Sequence, residues 1–163
     1  IDAWNAMWWP GMAYQLAAFG DRPRTESDPG LVEGAGKGHG IGAIELIRAQ
    51  MKRAALHAAL ARFHETYDLL LTPSLPLPAF EAGRLMPPDG DWGDSWTNWA
   101  PFSYPFNLTQ QPAAAVPCGL TKAGLPVSLQ IVGPIGADDL VLRASRAYEQ
   151  AHPFPMLEAP RPA

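Results

Sequence analysis

Apolar residues return every three or four positions at Ile44, Ile47 and Met51 and again at Leu56, Leu60, Phe63 and Tyr67, with Glu45, Arg48, Lys52 and Arg62 between them. That spacing is helical, and it predicts one long amphipathic helix over about 42–66. Upstream, Trp4, Met7 and Trp8 and then Met12 to Phe19 predict helical pieces broken at Pro10-Gly11 and stopped at Gly20. The polar run DRPRTESDPG that follows reads as a surface loop. After Asp68 comes LLLT, uniformly apolar and ended by Pro73, which predicts a short strand buried on both faces. Residues 74–105 carry scattered prolines, Gly83, Gly90, Gly93 and the stretch DWGDSWTNWAPF, a long irregular excursion of the functional or lid-like kind.

Alanines 113–115 and Val116 predict a second strand with small side chains on both faces, so that something packs close on each side. Pro126 to Val132 predicts a third, with Val127, Leu129 and Ile131 on one face and Ser128, Gln130 and Val132 on the other. Thr121-Lys122-Ala123-Gly124 supplies a hairpin turn between them. Asp138 or Asp139 can cap a last helix, buried through Val141, Ala144 and Tyr148, running to about Ala151 and stopped by Pro153. The order helix, strand, long loop, hairpin, helix belongs to an α/β protein, although three strands make a thin sheet.

Composition narrows the function classes. The 163 residues are 47% hydrophobic, enough for a core of their own. Twelve Lys and Arg against sixteen Asp and Glu give a net charge of -4, with no basic run beyond Lys52-Arg53, which argues against a nucleic-acid surface. Cys118 is the single cysteine, so an internal disulfide and a cysteine-built zinc site are excluded, and the cytoplasm is the expected compartment. No run of about 18 apolar residues predicts a membrane span. The eighteen prolines cluster at 73–87 and 153–162 without a period, marking loops rather than a repeat. The chain begins with Ile, which implies residues upstream.

Four segments in order, YDLLLTPSLP (67–76), FNLTQQPAAAVPCG (106–119), GLPVSLQIVG (124–133) and DDLVLRASRAYEQ (138–150), strongly resemble the C-terminal third of the amidase signature family. The resemblance is strongest over 39–154, and it implies that 1–163 is the C-terminal portion of one amidase domain, with helical pieces and a loop over 1–38 and a proline-rich tail over 153–163. It implies an α/β/α sandwich with a mixed sheet, no cofactor and no metal. It also implies a serine nucleophile, a second serine after a cis peptide bond and a lysine base, all in an N-terminal Gly/Ser-rich part that this chain lacks. Serines 27, 74, 95, 103, 128 and 145 and lysines 37, 52 and 122 offer no such constellation, so no catalytic residue is assigned. The expected partners are therefore a small amide substrate and the N-terminal catalytic portion, with a homodimer as a further option.

Other motifs have modest claims. GAGKGHGIGA (34–43) looks like a phosphate-cradling loop, but no apolar strand precedes it and Lys37 is followed by Gly rather than Ser or Thr, so it reads as a flexible approach to the long helix. His57 and His64 lie seven apart, about 10 Å along a helix, too far to share a metal. Asn107-Leu108-Thr109 is a glycosylation sequon by pattern only, and Cys118 reads as a buried structural thiol. Trp92, Trp96 and Trp99 read either as packing or as a pocket wall, because in the family the region ahead of the NLTQQP motif shapes the acyl or amine pocket. Trp96, Trp99, Phe102, Phe106 and Asn107 are accordingly the candidate substrate-binding residues. Relatives that act on glutamine held on transfer RNA carry an acid where this chain has Ala100, so the resemblance favours an apolar aryl or alkyl amide. The family has Gly where Gln110 stands, which puts the backbone there in question. The reading is a fragment of an amidase that hydrolyses a linear amide; the alternative is a noncatalytic remnant or assembly module that docks or dimerises through an exposed sheet.

Overall fold

The computed structural model describes residues 1–20, 24–90, 92–93 and 96–154, and at Arg24 and Trp96 the backbone alone. Residues 21–23 of the polar run and 155–163 of the proline-rich tail lie outside the described residues. Helices α1 (Asp2–Ala18), α2 (Pro29–Gly38) and α3 (Ala43–Phe63) lead into strand β1 (Leu70–Pro73); α4 (Tyr104–Thr109), β2 (Ala113–Leu120), β3 (Pro126–Val132) and α5 (Asp138–Ala151) follow. Short 3-10 turns occupy Arg24–Glu26 and Trp96–Trp99. The strands form one antiparallel sheet in the order β1-β3-β2, with Leu71 and Ala114 both opposite Ile131. The chain is an α/β fold in which α5 packs on the sheet and α1 packs against both α2 and α3.

Helix α5 covers the sheet face that carries Val116, Leu129 and Ile131, through Val141, Ala144 and Tyr148. On the opposite face the segment before α4 reaches over Gln130. There the buried Gln130 amide donates to Thr72 Oγ1 at 2.9 Å and to the Phe102 carbonyl at 3.0 Å. With both faces covered near its end, β3 buries Val132 completely. The hairpin turn is where the sequence predicts it: the Gly124 N–H donates to the Thr121 carbonyl at 2.9 Å, and Gly124 takes the positive φ of 79° that the turn requires.

The structure corrects several expectations. Helix α1 runs unbroken through Pro10, since its buried residues Met12, Ala13 and Leu16 pack on Ala35 of α2 and outweigh the lost hydrogen bond. Residues 34–38 of the glycine-rich run belong to helix α2, and 39–42 make the turn into α3. Asp28 caps α2, its side chain accepting from the Gly30 and Leu31 amides at 2.8 and 3.1 Å, and Pro29 holds the first turn. Helix α5 starts at Ala137 without a side-chain cap, so Asp138 and Asp139 act as first-turn charges instead. Strand β1 alternates rather than being buried on both faces, with Leu71 56% exposed, and Ala113 and Ala115 are exposed as well. These strands are the two edges of the sheet, and none of the described elements lies over those positions. Cys118 sits at the β2 bulge and is exposed, not buried. The stripe Ile44, Ile47 and Met51 of α3 also faces outward; of that helix only Ala49 is buried.

Candidate functional site

An apolar cavity of about 650 Å³ opens beside β1, lined by Leu71, Leu75, Phe80, Trp99, Cys118 and Val127 among others. Trp99 stands edge-on to Phe80, ring centres 5.3 Å apart. Its 3-10 turn is tied to α1: the buried Thr97 hydroxyl donates to Asn5 Oδ1 at 3.0 Å, and Asn5 Nδ2 reaches Asn98 Oδ1 at 3.4 Å. The buried Ser74 hydroxyl has no partner among the described residues, and the Ser74 amide donates to the Ser128 carbonyl at 3.2 Å.

The predicted pocket residues are not brought together on one wall. Trp99 lines the large cavity; Phe102 lends its carbonyl to Gln130; Phe106 is buried at 7% exposure. Asn107 lines a different cavity of about 270 Å³, with Trp4, Met7, Trp8, Arg53 and Leu108. The Trp96 side chain lies outside the described residues. Trp92 closes on its own turn, its indole N–H donating to the Asp89 carbonyl at 2.7 Å. The second cavity was not legible in the sequence because its walls come from α1, α3 and α4, which meet only after folding. In the continuous α1, Trp4 and Trp8 fall four apart on one face, a spacing the sequence does display.

Between the cavities, the end of α4 is locked to the sheet. Gln110 takes the left-handed conformation at φ 60°, the one non-glycine with positive φ among the described residues, so the backbone shape expected for Gly persists with Gln. Gln111 then donates through Nε2 to the Gly133 carbonyl at 3.1 Å, while Thr109 Oγ1 lies 2.9 Å from Gln111 Oε1. The Gly133 amide returns a bond to the Pro112 carbonyl at 3.0 Å. This clamp fixes where Asn107 and Phe106 sit relative to β3.

Several other polar groups are spent structurally. The Ser103 and Ser145 hydroxyls donate to the Ala100 and Val141 carbonyls. Lys37 pairs with Glu33 at 2.6 Å and lies over Trp9. His64 Nδ1 bonds the Tyr67 carbonyl at 2.9 Å, and no cluster of three metal-ligating side chains occurs among the described residues. No described helix is long and apolar enough to cross a membrane.

Residues 33–142, about two thirds of the chain, match the amidase family. An acylamidase of Rhodococcus erythropolis is 30% identical over 156 residues, 93% of this chain and 32% of that protein. One of the subunits of the Myxococcus xanthus glutamyl-tRNA(Gln) amidotransferase is 40% identical over 116 residues, 70% of this chain and 23% of its own length. A solved bacterial aryl acylamidase of the amidase signature family superposes with a TM-score of 0.77 at 26% identity, covering 94% of this chain and 34% of that one. In fold alone, 6-aminohexanoate cyclic dimer hydrolase in complex with its substrate reaches a TM-score of 0.78 at 21% identity, covering 94% of this chain and 35% of that one. The chain thus spans about a quarter to a third of the length of these relatives. With its sheet, its clamp at Gln111 and its apolar cavity all lying within or beside the matched segment, this chain belongs to the amidase signature family.

Proposed function

We propose that these residues are the C-terminal portion of an amidase that hydrolyses the linear C–N bond of an apolar aryl or alkyl amide. The observation that carries this reading is the apolar cavity at Trp99, built on the family-matched segment and lined by carbon-rich side chains rather than charges. In the resemblance, a serine hydroxyl attacks the acyl carbon and the amine leaves with a proton; water then releases the acid and restores the serine. That serine, its serine partner and the lysine base belong to the portion outside these residues. The exposed stripe of α3 and the outer edge of β1, where Leu71 is open, are the surfaces that portion would cover. Trp96, Trp99, Phe102, Phe106 and Asn107 remain the proposed substrate-shaping set, the buried ones acting by holding the others.

In the full-length enzyme, Trp99→Ala is expected to shift the ratio of kcat/KM between anilides and short alkyl amides by about tenfold. An unchanged ratio would reduce Trp99 to packing. The purified 163-residue chain should cleave neither class, and turnover abolished by replacing one of its own serines would overturn the assignment. The same exposed edge also favours a second reading, a noncatalytic module that docks or dimerises there. Absence of a Gly/Ser-rich segment and a lysine in the coding sequence upstream of Ile1 would decide for that reading.

A further inference from the structure

Three aromatic rings form a ladder between α1 and α4. Trp4 stacks on Trp8, one turn further along α1, and on Tyr104 at the start of α4, with ring centres 4.8 Å apart in both pairs and planes 19° and 16° from parallel. A ladder that only glued two helices would end on buried rings. This one ends on Trp8, which is 44% exposed and has no other ring partner among the described residues. Trp8 lines the 270 Å³ cavity together with Trp4, Met7, Arg53, Asn107 and Leu108.

Several polar atoms there have no partner among the described residues. Arg53 makes no ion pair among the described residues, whereas Lys37, Arg84 and Arg143 each find a carboxylate three or four residues away. At those spacings from Arg53 the chain offers Ala49, Gln50, Leu56 and His57, so no acid can reach it along α3. Arg53 and Leu108 also line the two neighbouring cavities, so that Arg53 borders all three. The Trp4 indole N–H is buried without an acceptor among the described residues, and Asn107 spends its Nδ2 on the Ser103 carbonyl at 3.0 Å, leaving Oδ1 for a donor.

We infer that the Trp8 end of this ladder is a binding wall for a flat aromatic ring, with Arg53 at the rim to take an anionic or carbonyl oxygen carried by that ring. Offset stacking rewards a planar π-system over a saturated ring of equal size, and a guanidinium beside apolar walls rewards an oxygen acceptor, most of all a carboxylate. As a specificity element the wall rests on the amidase reading, since it would select aryl substrates or retain aryl acids. As a binding site it stands on geometry alone.

The probes are benzoate, benzamide and cyclohexanecarboxylate, titrated calorimetrically into the full-length protein and into its Trp8→Leu and Arg53→Met variants. Trp8→Leu keeps apolar bulk at a half-exposed position, and circular dichroism confirms that each variant is folded. Benzoate should bind about five- to tenfold more tightly than cyclohexanecarboxylate, and Trp8→Leu should erase that preference. Arg53→Met should weaken benzoate at least about tenfold. A smaller loss for benzamide assigns the carboxylate as the preferred group; an equal loss assigns the carbonyl oxygen they share. Equal affinity for aromatic and saturated rings, or benzoate binding untouched by both variants, overturns the inference. If alkyl amides are cleaved while aromatic binding fails, the wall falls and the amidase reading stands. If no amide is cleaved while benzoate binds as described, the amidase reading falls and the wall stands.

Discussion

Gln110 occupies a backbone conformation that side chains other than Gly enter at a cost of about 1–2 kcal/mol, because Cβ crowds the neighbouring carbonyl. It is tolerated because Gln111 and Pro112, the next two residues, are anchored to Gly133 and dictate how α4 must end. Gln110→Gly relieves the crowding but frees the unfolded chain, so the net gain should be about 0.5–1 kcal/mol, read as a rise in melting temperature. A fall would mean that the Gln110 side chain supplies contacts beyond its exposed position. Tyr104 makes a second case at this scale: burial raises its phenol above the ordinary 10.0, against a smaller opposing pull from the Ala100 backbone. The folded state therefore favours the neutral ring. That contribution is fully present below pH 10 and is lost as pH rises through the higher folded value. Between pH 9 and 11 the urea midpoint should fall less steeply in Tyr104→Phe than in the unmodified protein; identical slopes would assign the titration to another group.

At the scale of elements, α1 and α2 show how glycine decides a packing that propensity opposes. A Cβ on Gly38 would fall on the Trp9 carbonyl, and one on Gly34 on the Met12 sulfur, so the two glycines, one turn apart, let the helices approach closely. Gly38→Ala gains helix propensity of about 1 kcal/mol but must push α1 away. A net loss of about 1–2 kcal/mol is expected by chemical denaturation, while the same change at the open Gly36 should stabilise. Equal effects at the two sites would show that the close approach is unimportant. This is also where the sequence was hardest to read. Strand β3, the hairpin turn, α5 and most of α3 follow from periodicity and turn residues, which are local. The continuity of α1 through Pro10 and the helical state of the glycine run depend on a contact between distant segments, although Asp28-Pro29 carried a readable helix start. The aryl wall was illegible for the same reason, since Trp4, Arg53 and Tyr104 meet only after folding. Trp99, by contrast, is a candidate from its place ahead of the NLTQQP motif, and it lines the larger cavity.

For the whole molecule, the decisive quantity is the apolar surface that these 163 residues cannot cover themselves. Ile44, Ile47 and Met51 make an outward stripe on α3, Tyr14 is open on α1, and Leu71 is open on a strand whose outer edge pairs with no other described strand. Two edge strands bound a sheet of only three, so unpaired N–H and C=O groups lie next to side chains that water disfavours. Single exposed apolar residues are ordinary, but a stripe and an open edge on one small chain exceed what soluble monomers usually leave bare. The isolated chain should therefore self-associate, with sedimentation and light scattering showing species larger than 17.6 kDa at tens of micromolar and hydrophobic dye bound. A charge on the free strand should counter this, because a lysine at an edge must be buried by any incoming strand. Leu71→Lys is expected to raise the monomer fraction of the isolated chain, yet, on the proposed reading, to lower the stability of a full-length protein in which that side chain packs inside. A clean monomer that unfolds cooperatively without Leu71→Lys would show that these residues bury a sufficient core alone, and the missing portion would no longer be needed to explain their exposed face.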